Sequence, residues 1–157
     1  MSFKVTKIFI LLSTVFFAYK KGALMKEDDL QKYVIQWLEI ALPDNSVYHH
    51  SPNEGVRHVA FRRRLKAMGM AAGWPDIELF VPKDGWRFPN EKAGIFIELK
   101  AKKGRMTESQ KAIQRCLRMT GEHGETCYSL DQVKLWLQTL LQLKDNPRMQ
   151  IIERMCP

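Results

Sequence analysis

Pro75-Asp76-Ile77-Glu78-Leu79-Phe80-Val81 and Gly94-Ile95-Phe96-Ile97-Glu98-Leu99-Lys100 are two apolar runs, the first opened by Pro-Asp and the second closed by a glutamate and a lysine two positions apart. On a strand, side chains two apart share a face, so Glu98 and Lys100 point together while Leu99 enters the opposite layer. The link between the runs holds Asp84-Gly85, a strong turn signal, and Pro89-Asn90, which predicts an antiparallel pair with an enlarged loop. Such a pair sets Asp76 beside Glu98. Two ionised carboxylates about 4 Å apart repel by roughly 4 kcal/mol at an effective dielectric of about 20. One shared proton or a cation between them offsets that cost, and a nearby lysine lowers it further. Oxygen ligands without recurring Cys or His suit a hard divalent metal, and two carboxylates with an amine are the groups that hold such a metal and steady a phosphate.

Working outward, Leu30, Val34, Trp37, Leu38 and Ala41 keep helical spacing from Lys26 to Leu42, and Pro43-Asp44 stops the helix. Val47 to His50 reads as a short strand and Ser51-Pro52-Asn53-Glu54-Gly55 as a loop. A helix follows from Val56 to Met68, with His58, Phe61, Leu65 and Met68 on one stripe. Arg57, Arg62, Arg64 and Lys66 form a cationic rim beside that stripe. After the second apolar run, Lys102-Lys103-Gly104-Arg105 is a basic loop. Thr107 with Gln110 then makes a capping box for a helix carrying Ile113, Cys116, Leu117 and Thr120 on one face and stopped by Gly121. Thr126 to Ser129 reads as a final strand, and Ser129 with Gln132 caps a helix bearing Val133, Trp136, Leu137 and Leu140. The order α β α β β α β α predicts an α/β fold, a small mixed sheet flanked by helices, over residues 25–143, with residues 144–157 as a polar C-terminal tail.

At 157 residues the chain is one domain, with hydrophobic and charged fractions of 45% and 27% that exclude a disordered chain. Three cysteines, Cys116, Cys127 and Cys156, come with no CxxC and no Cys/His cluster, so neither a disulfide framework nor a structural zinc is implied, and a reducing, cytoplasmic compartment fits. Residues 1–24 contain the apolar stretch Ile8 to Ala18. It is shorter than the about 20 residues of a membrane span, and a small-x-small cleavage site is missing because Lys21 stands two positions before Ala23. The favoured reading is that Met25 is the true start and the leader a mis-called extension, with a signal or anchor segment as the next alternative and a structural segment as the last. Removing the leader deletes four lysines and takes the net charge from +8 to +4, still suited to a polyanionic partner.

Bland readings compete with the chemical ones. Pro-Asp followed by Glu-x-Lys is a loose pattern, and by itself it also describes a surface ion pair at two strand ends. Glu78 shares the face of Asp76 but reads as a solvated strand residue. Glu27 lies in a first helical turn, where the helix dipole alone favours an acid. Gln31 reads as solvated, and Gln110 already has its role in the capping box. His49-His50, Asn53 and His58 do not fit His-Asn-His metal nucleases, because the asparagine stands too close to the first histidines. Trp74 and Trp86 read as packing residues.

Taken together, Asn53-Glu54-Gly55-Val56-Arg57, Lys66-Ala67-Met68-Gly69 leading through Gly73 to Pro75-Asp76, and Phe96-Ile97-Glu98-Leu99-Lys100 with Gly104-Arg105-Met106-Thr107 and Gln110 resemble the VRR-NUC family. This is the virus-type replication-repair branch of the PD-(D/E)xK nucleases, and the resemblance is to its compact stand-alone members from phages and prophages. It spans about residues 26 to 140 and is far more specific than Pro-Asp with Glu-x-Lys alone. It implies a restriction-endonuclease-like core and hydrolysis of DNA phosphodiesters with Mg2+ or Mn2+. By position, Asp76 and Glu98 would be metal ligands with the Leu99 carbonyl, Lys100 would orient or activate the attacking water, and Gln110 would support the site. Glu27 would match the acidic residue of the family's first helix and be a further metal ligand, with Asp28 and Asp29 as adjacent candidates. Arg57, Arg62, Arg64, Lys66, Lys102, Lys103 and Arg105 would contact DNA without reading its sequence. Likeness to Holliday junction resolvases implies a homodimer acting on branched or flapped DNA, with no stable membrane association and a location in the cytoplasm, that of the host if phage-encoded. A non-catalytic DNA-binding module that kept the fold is the alternative, and an exported or membrane-attached protein with a genuine leader is a third.

Overall fold

Ile77 and Leu79 of the first run, and Ile95, Ile97 and Leu99 of the second, are fully buried on one face of a sheet, as the period-two pattern requires. The computed structural model describes residues 25–51, 59–88, 91 and 93–156, without the side chains of 59–62, 153 and 155. The leader, Asn53, Arg57, His58 and the Arg62 side chain lie outside the described residues. Four strands, β1 (Val47–His50), β2 (Ile77–Phe80), β3 (Ile95–Leu99) and β4 (His123–Cys127), lie side by side in chain order. The β1–β2 and β2–β3 pairs are antiparallel, and the β3–β4 pair is parallel. This is the mixed, helix-flanked sheet expected from the sequence.

A parallel neighbour requires a crossover, and α3 (Glu108–Met119) supplies it between β3 and β4. On the other face lies α1 (Glu27–Ala41), burying Leu30, Tyr33, Val34, Trp37, Leu38 and Ala41 as one stripe. Beside it α4 (Leu130–Leu140) buries Leu130, Val133, Leu137 and Leu140, and both helices share one apolar core with the sheet. The link from β2 to β3 turns at Lys83–Gly85 and is tied down by Trp86, which is buried and forms a bridge with Leu141.

Four expectations are corrected. The last strand begins at His123 rather than Thr126, because its pairing with β3 starts at Ile95; Ser129 is not in it but is the N-cap of α4. Residues 144–157 are not merely a polar tail. They contain α5 (Pro147–Met155), with Asn146 as N-cap, proline in the first turn and Ile152 buried against the core. Met149, Ile152 and Cys156 keep helical spacing in that segment, which its many polar residues obscure. On α3 the buried residues are Gln110 and Leu117, while Cys116 and Thr120 are exposed. In α2 (Val59–Ala67) and just beyond, Leu65 is half-buried and Met68 is 73% exposed, so the expected apolar stripe is not a buried one there.

Candidate functional site

Ile77 stands opposite Ile97, so one further step along the antiparallel ladder sets Asp76 opposite Glu98. Both carboxylates are buried, at 6% and 3% exposure, on the side of the sheet that faces α3. Asp76 Oδ2 accepts the Leu99 N–H at 2.7 Å, which ties the start of β2 to the end of β3. Its main-chain carbonyl accepts the Ser51 N–H at 3.0 Å and lies 2.9 Å from His50 Nδ1. The same imidazole nitrogen is 2.6 Å from the Gln31 amide, so Gln31 is engaged rather than simply solvated.

Lys100, 4% exposed, follows β3 on the face of Glu98. Its Nζ lies 2.6 Å from Glu98 Oε1 and donates to Glu27 Oε1 at 2.9 Å and to the Leu99 carbonyl at 3.0 Å. The second oxygen of Glu27 accepts the Ala101 N–H at 3.2 Å, so the first turn of α1 clamps the end of β3. Gln110 Nε2 donates to Glu98 Oε1, while Gln110 Oε1 accepts the Thr107 N–H at 2.8 Å. One amide therefore closes the capping box at one end and orients the buried carboxylate at the other. Gly73 lets α3 approach this closely: its φ is +83°, and a Cβ there would fall 2.6 Å from the Gln110 nitrogen.

Burial pushes the Glu98 carboxyl up to about 7 from an ordinary 4.5. Lys100 opposes the rise, and the negative charges of Asp76 and Glu27 add to it. Burial also disfavours the charged form of Lys100, but hydrogen bonds to Glu98 and Glu27 outweigh it and hold the ammonium above the usual lysine range. Glu98 and Glu27 share the one Lys100 ammonium, and the charge of Asp76 also acts on Glu98, so negative charge is concentrated at a largely buried site. Among the described residues, no group of three or more carboxylate, imidazole or thiol side chains forms a ready-made cation cage. Mg2+ does not need one, since it keeps several waters and takes one or two carboxylates along with substrate phosphate oxygens. The donor set of Asp76, Glu98 and the Leu99 carbonyl therefore fits a hard divalent cation.

Of the basic residues singled out in the sequence, Arg64 and Lys66 are exposed on α2, and Lys102, Lys103 and Arg105 are exposed between β3 and α3. Glu78 is not a merely solvated residue: Trp74 Nε1 donates to its Oε1 at 2.5 Å and Ser51 Oγ at 3.4 Å, with His49 Nδ1 3.8 Å away. Only the β1–β2 register, which sets His49 opposite Glu78, reveals this group. Trp74 packs edge-on against Phe96 and Trp86 donates to the Val81 carbonyl, so both tryptophans have structural partners. Among the described residues no helix is long and apolar enough to cross a membrane.

No family model and no curated protein matches this sequence. Among solved structures the chain is similar to a "VRR_NUC domain protein" at 24% identity, with a TM-score of 0.60 over 80% of this chain and 94% of that one. The likeness is one of fold: the small mixed sheet flanked by helices is the VRR-NUC fold.

Proposed function

We propose that the protein is a metal-dependent, structure-selective DNA endonuclease, a homodimer that uses Mg2+ or Mn2+ to hydrolyse phosphodiester bonds in branched or flapped DNA, as Holliday junction resolvases do. The observation that carries the reading is the buried cluster of Asp76, Glu98 and Lys100, joined to Gln110 and Glu27, within a fold shared with a VRR_NUC domain protein. Asp76, Glu98 and the Leu99 carbonyl would hold the cation, which when bound supplies positive charge at the phosphoryl oxygens and acidifies water. Lys100 places a fixed cation beside the developing charge and orients the attacking water. Glu27 keeps that ammonium in place, and Gln110 fixes the rotamer of Glu98. The exposed lysines and arginines position the DNA backbone without reading its sequence. The β1–β2 edge, where Val47 pairs with Phe80 and both are more than half exposed, offers an apolar patch for a second copy.

The deciding experiment compares wild type with Glu98→Ala on linear, flapped and four-way DNA in Mg2+, Mn2+ or EDTA. Cleavage in the variant is expected to fall by about 1,000-fold or more, the scale of several kcal/mol of charge stabilisation, while binding is retained. Full activity in the variant sinks the assignment. The second reading, a non-catalytic DNA-binding module, draws on the Lys100 ammonium, which already bonds Glu98, Glu27 and the Leu99 carbonyl. It predicts binding in EDTA with no cleavage in either metal.

A further inference from the structure

The outer side of α3 carries a basic feature that the proposed site does not use. Lys111, Arg115 and Arg118 recur at i, i+4 and i+7 and so line one face over about 10.5 Å of helix. Each follows by one position a residue of the inward-facing row, Gln110, Gln114 and Leu117. The row of cations therefore runs alongside the buried edge of α3 and begins one residue from Gln110, whose amide holds Glu98. With Gln114 and Met119, these residues line an open depression of about 430 Å³. Arg118 is pre-set within it: Nε and Nη2 donate to the Gly124 carbonyl at 3.1 and 2.9 Å, with Glu125 3.5 Å away. Lys111 pairs at 2.7 Å with Glu108, which is 89% exposed and readily exchanged for another anion. From 102 to 119 the chain holds six basic residues and one acidic residue, so both the helix and the loop before it are strongly cationic.

We propose that Lys111, Arg115 and Arg118 form a rail for the phosphodiester backbone of the DNA on one side of the bond to be cut. The occupant is a DNA strand because the row is cationic, is open along its length, and starts at the site where the proposed reaction places a phosphate. Its 10.5 Å matches the rise of about three phosphates along one strand at about 3.4 Å each. This inference rests on the nuclease reading and adds to it the path of the substrate.

The test is fluorescence anisotropy of a labelled duplex in EDTA, so that nothing is cut, over about 50 to 200 mM salt. The double variant Lys111→Gln/Arg115→Gln is compared with wild type and with Lys144→Gln. Lys144 serves as control because its N–H bonds Ala41 at the far end of α1, about 21 Å from Glu27. The double variant is expected to bind about tenfold more weakly and to lose roughly 1.8 from the slope of log affinity against log salt, about 0.9 for each phosphate contact removed. The control is expected to match wild type. Unchanged affinity and slope in the double variant overturn the rail and leave the nuclease reading standing; lost affinity at an unchanged slope also overturns it. A wild-type protein that binds no DNA overturns both.

Discussion

Glu98 is buried near the like charges of Asp76 and Glu27 with one ammonium beside it. Its carboxyl, raised to about 7 from 4.5, takes up a proton in the folded state that the unfolded chain has lost. The resulting stabilisation is complete below about pH 4.5 and disappears as pH rises through about 7, amounting to on the order of 3 kcal/mol. Thermal melts in EDTA between pH 4.5 and 8 are therefore expected to show a loss that Glu98→Gln flattens. Adding Mg2+ is expected to raise Tm more at pH 8 than at pH 5.5, because cation and proton compete for the same oxygens. Equal shifts at both pH values argue against a cation held by Glu98. Gln110 acts one step back by fixing that carboxylate, and Gln110→Ala is expected to weaken Mn2+ binding about 10- to 100-fold by titration calorimetry. Asp76, Glu98 and Lys100 are legible from strand alternation, whereas the capping box gives Gln110 only its role at the helix start and the family resemblance alone put it at the site. The clasp of Glu27 on Lys100 and Ala101 is not legible, because it joins positions more than seventy residues apart.

At the scale of elements, α3 is held to the sheet by a backbone approach that only glycine allows. Gly73→Ala, with a positive φ and no room for a Cβ, is expected to destabilise the fold by about 1–3 kcal/mol and to lower metal affinity by displacing Gln110. Denaturant melts and calorimetry of the same variant would check both effects. The helix α5 makes a separate prediction. If Ile152 belongs to the core, Ile152→Ala costs about 2–5 kcal/mol in urea unfolding, whereas a loose tail would lose nothing. Strands β1, β2 and β3 and helices α1, α3 and α4 lie close to where periodicity and capping residues placed them. The misjudged elements are β4 and α5. In β4, His123-Gly124-Glu125-Thr126-Cys127 has little apolar alternation, and what makes it a strand is its pairing with β3. In α5, a few apolar residues among many polar ones become a buried stripe only because the helix packs against α1 and the shared core.

For the molecule as a whole, a net charge of +8, or +4 without residues 1–24, makes the proposed DNA binding weaken with salt and show little preference among duplex sequences. Competition between unrelated duplexes at fixed salt measures this, and strong sequence discrimination would contradict it. The sequence alone determined the fold class, because alternation in two apolar runs, helical stripes around them and a turn-rich link leave a small mixed sheet as the consistent arrangement. It also named the two carboxylates and the amine, since residue type and strand parity are local properties, while the place of Gln110 beside them came from the family resemblance. Tertiary structure decided which charges meet. The β2–β3 register brings Asp76 to Glu98, α1 reaches across to hold Lys100, and β1 sets His49 opposite Glu78. Those contacts depend on long-range register and helix docking, which are fixed by packing over the whole core rather than by any local pattern.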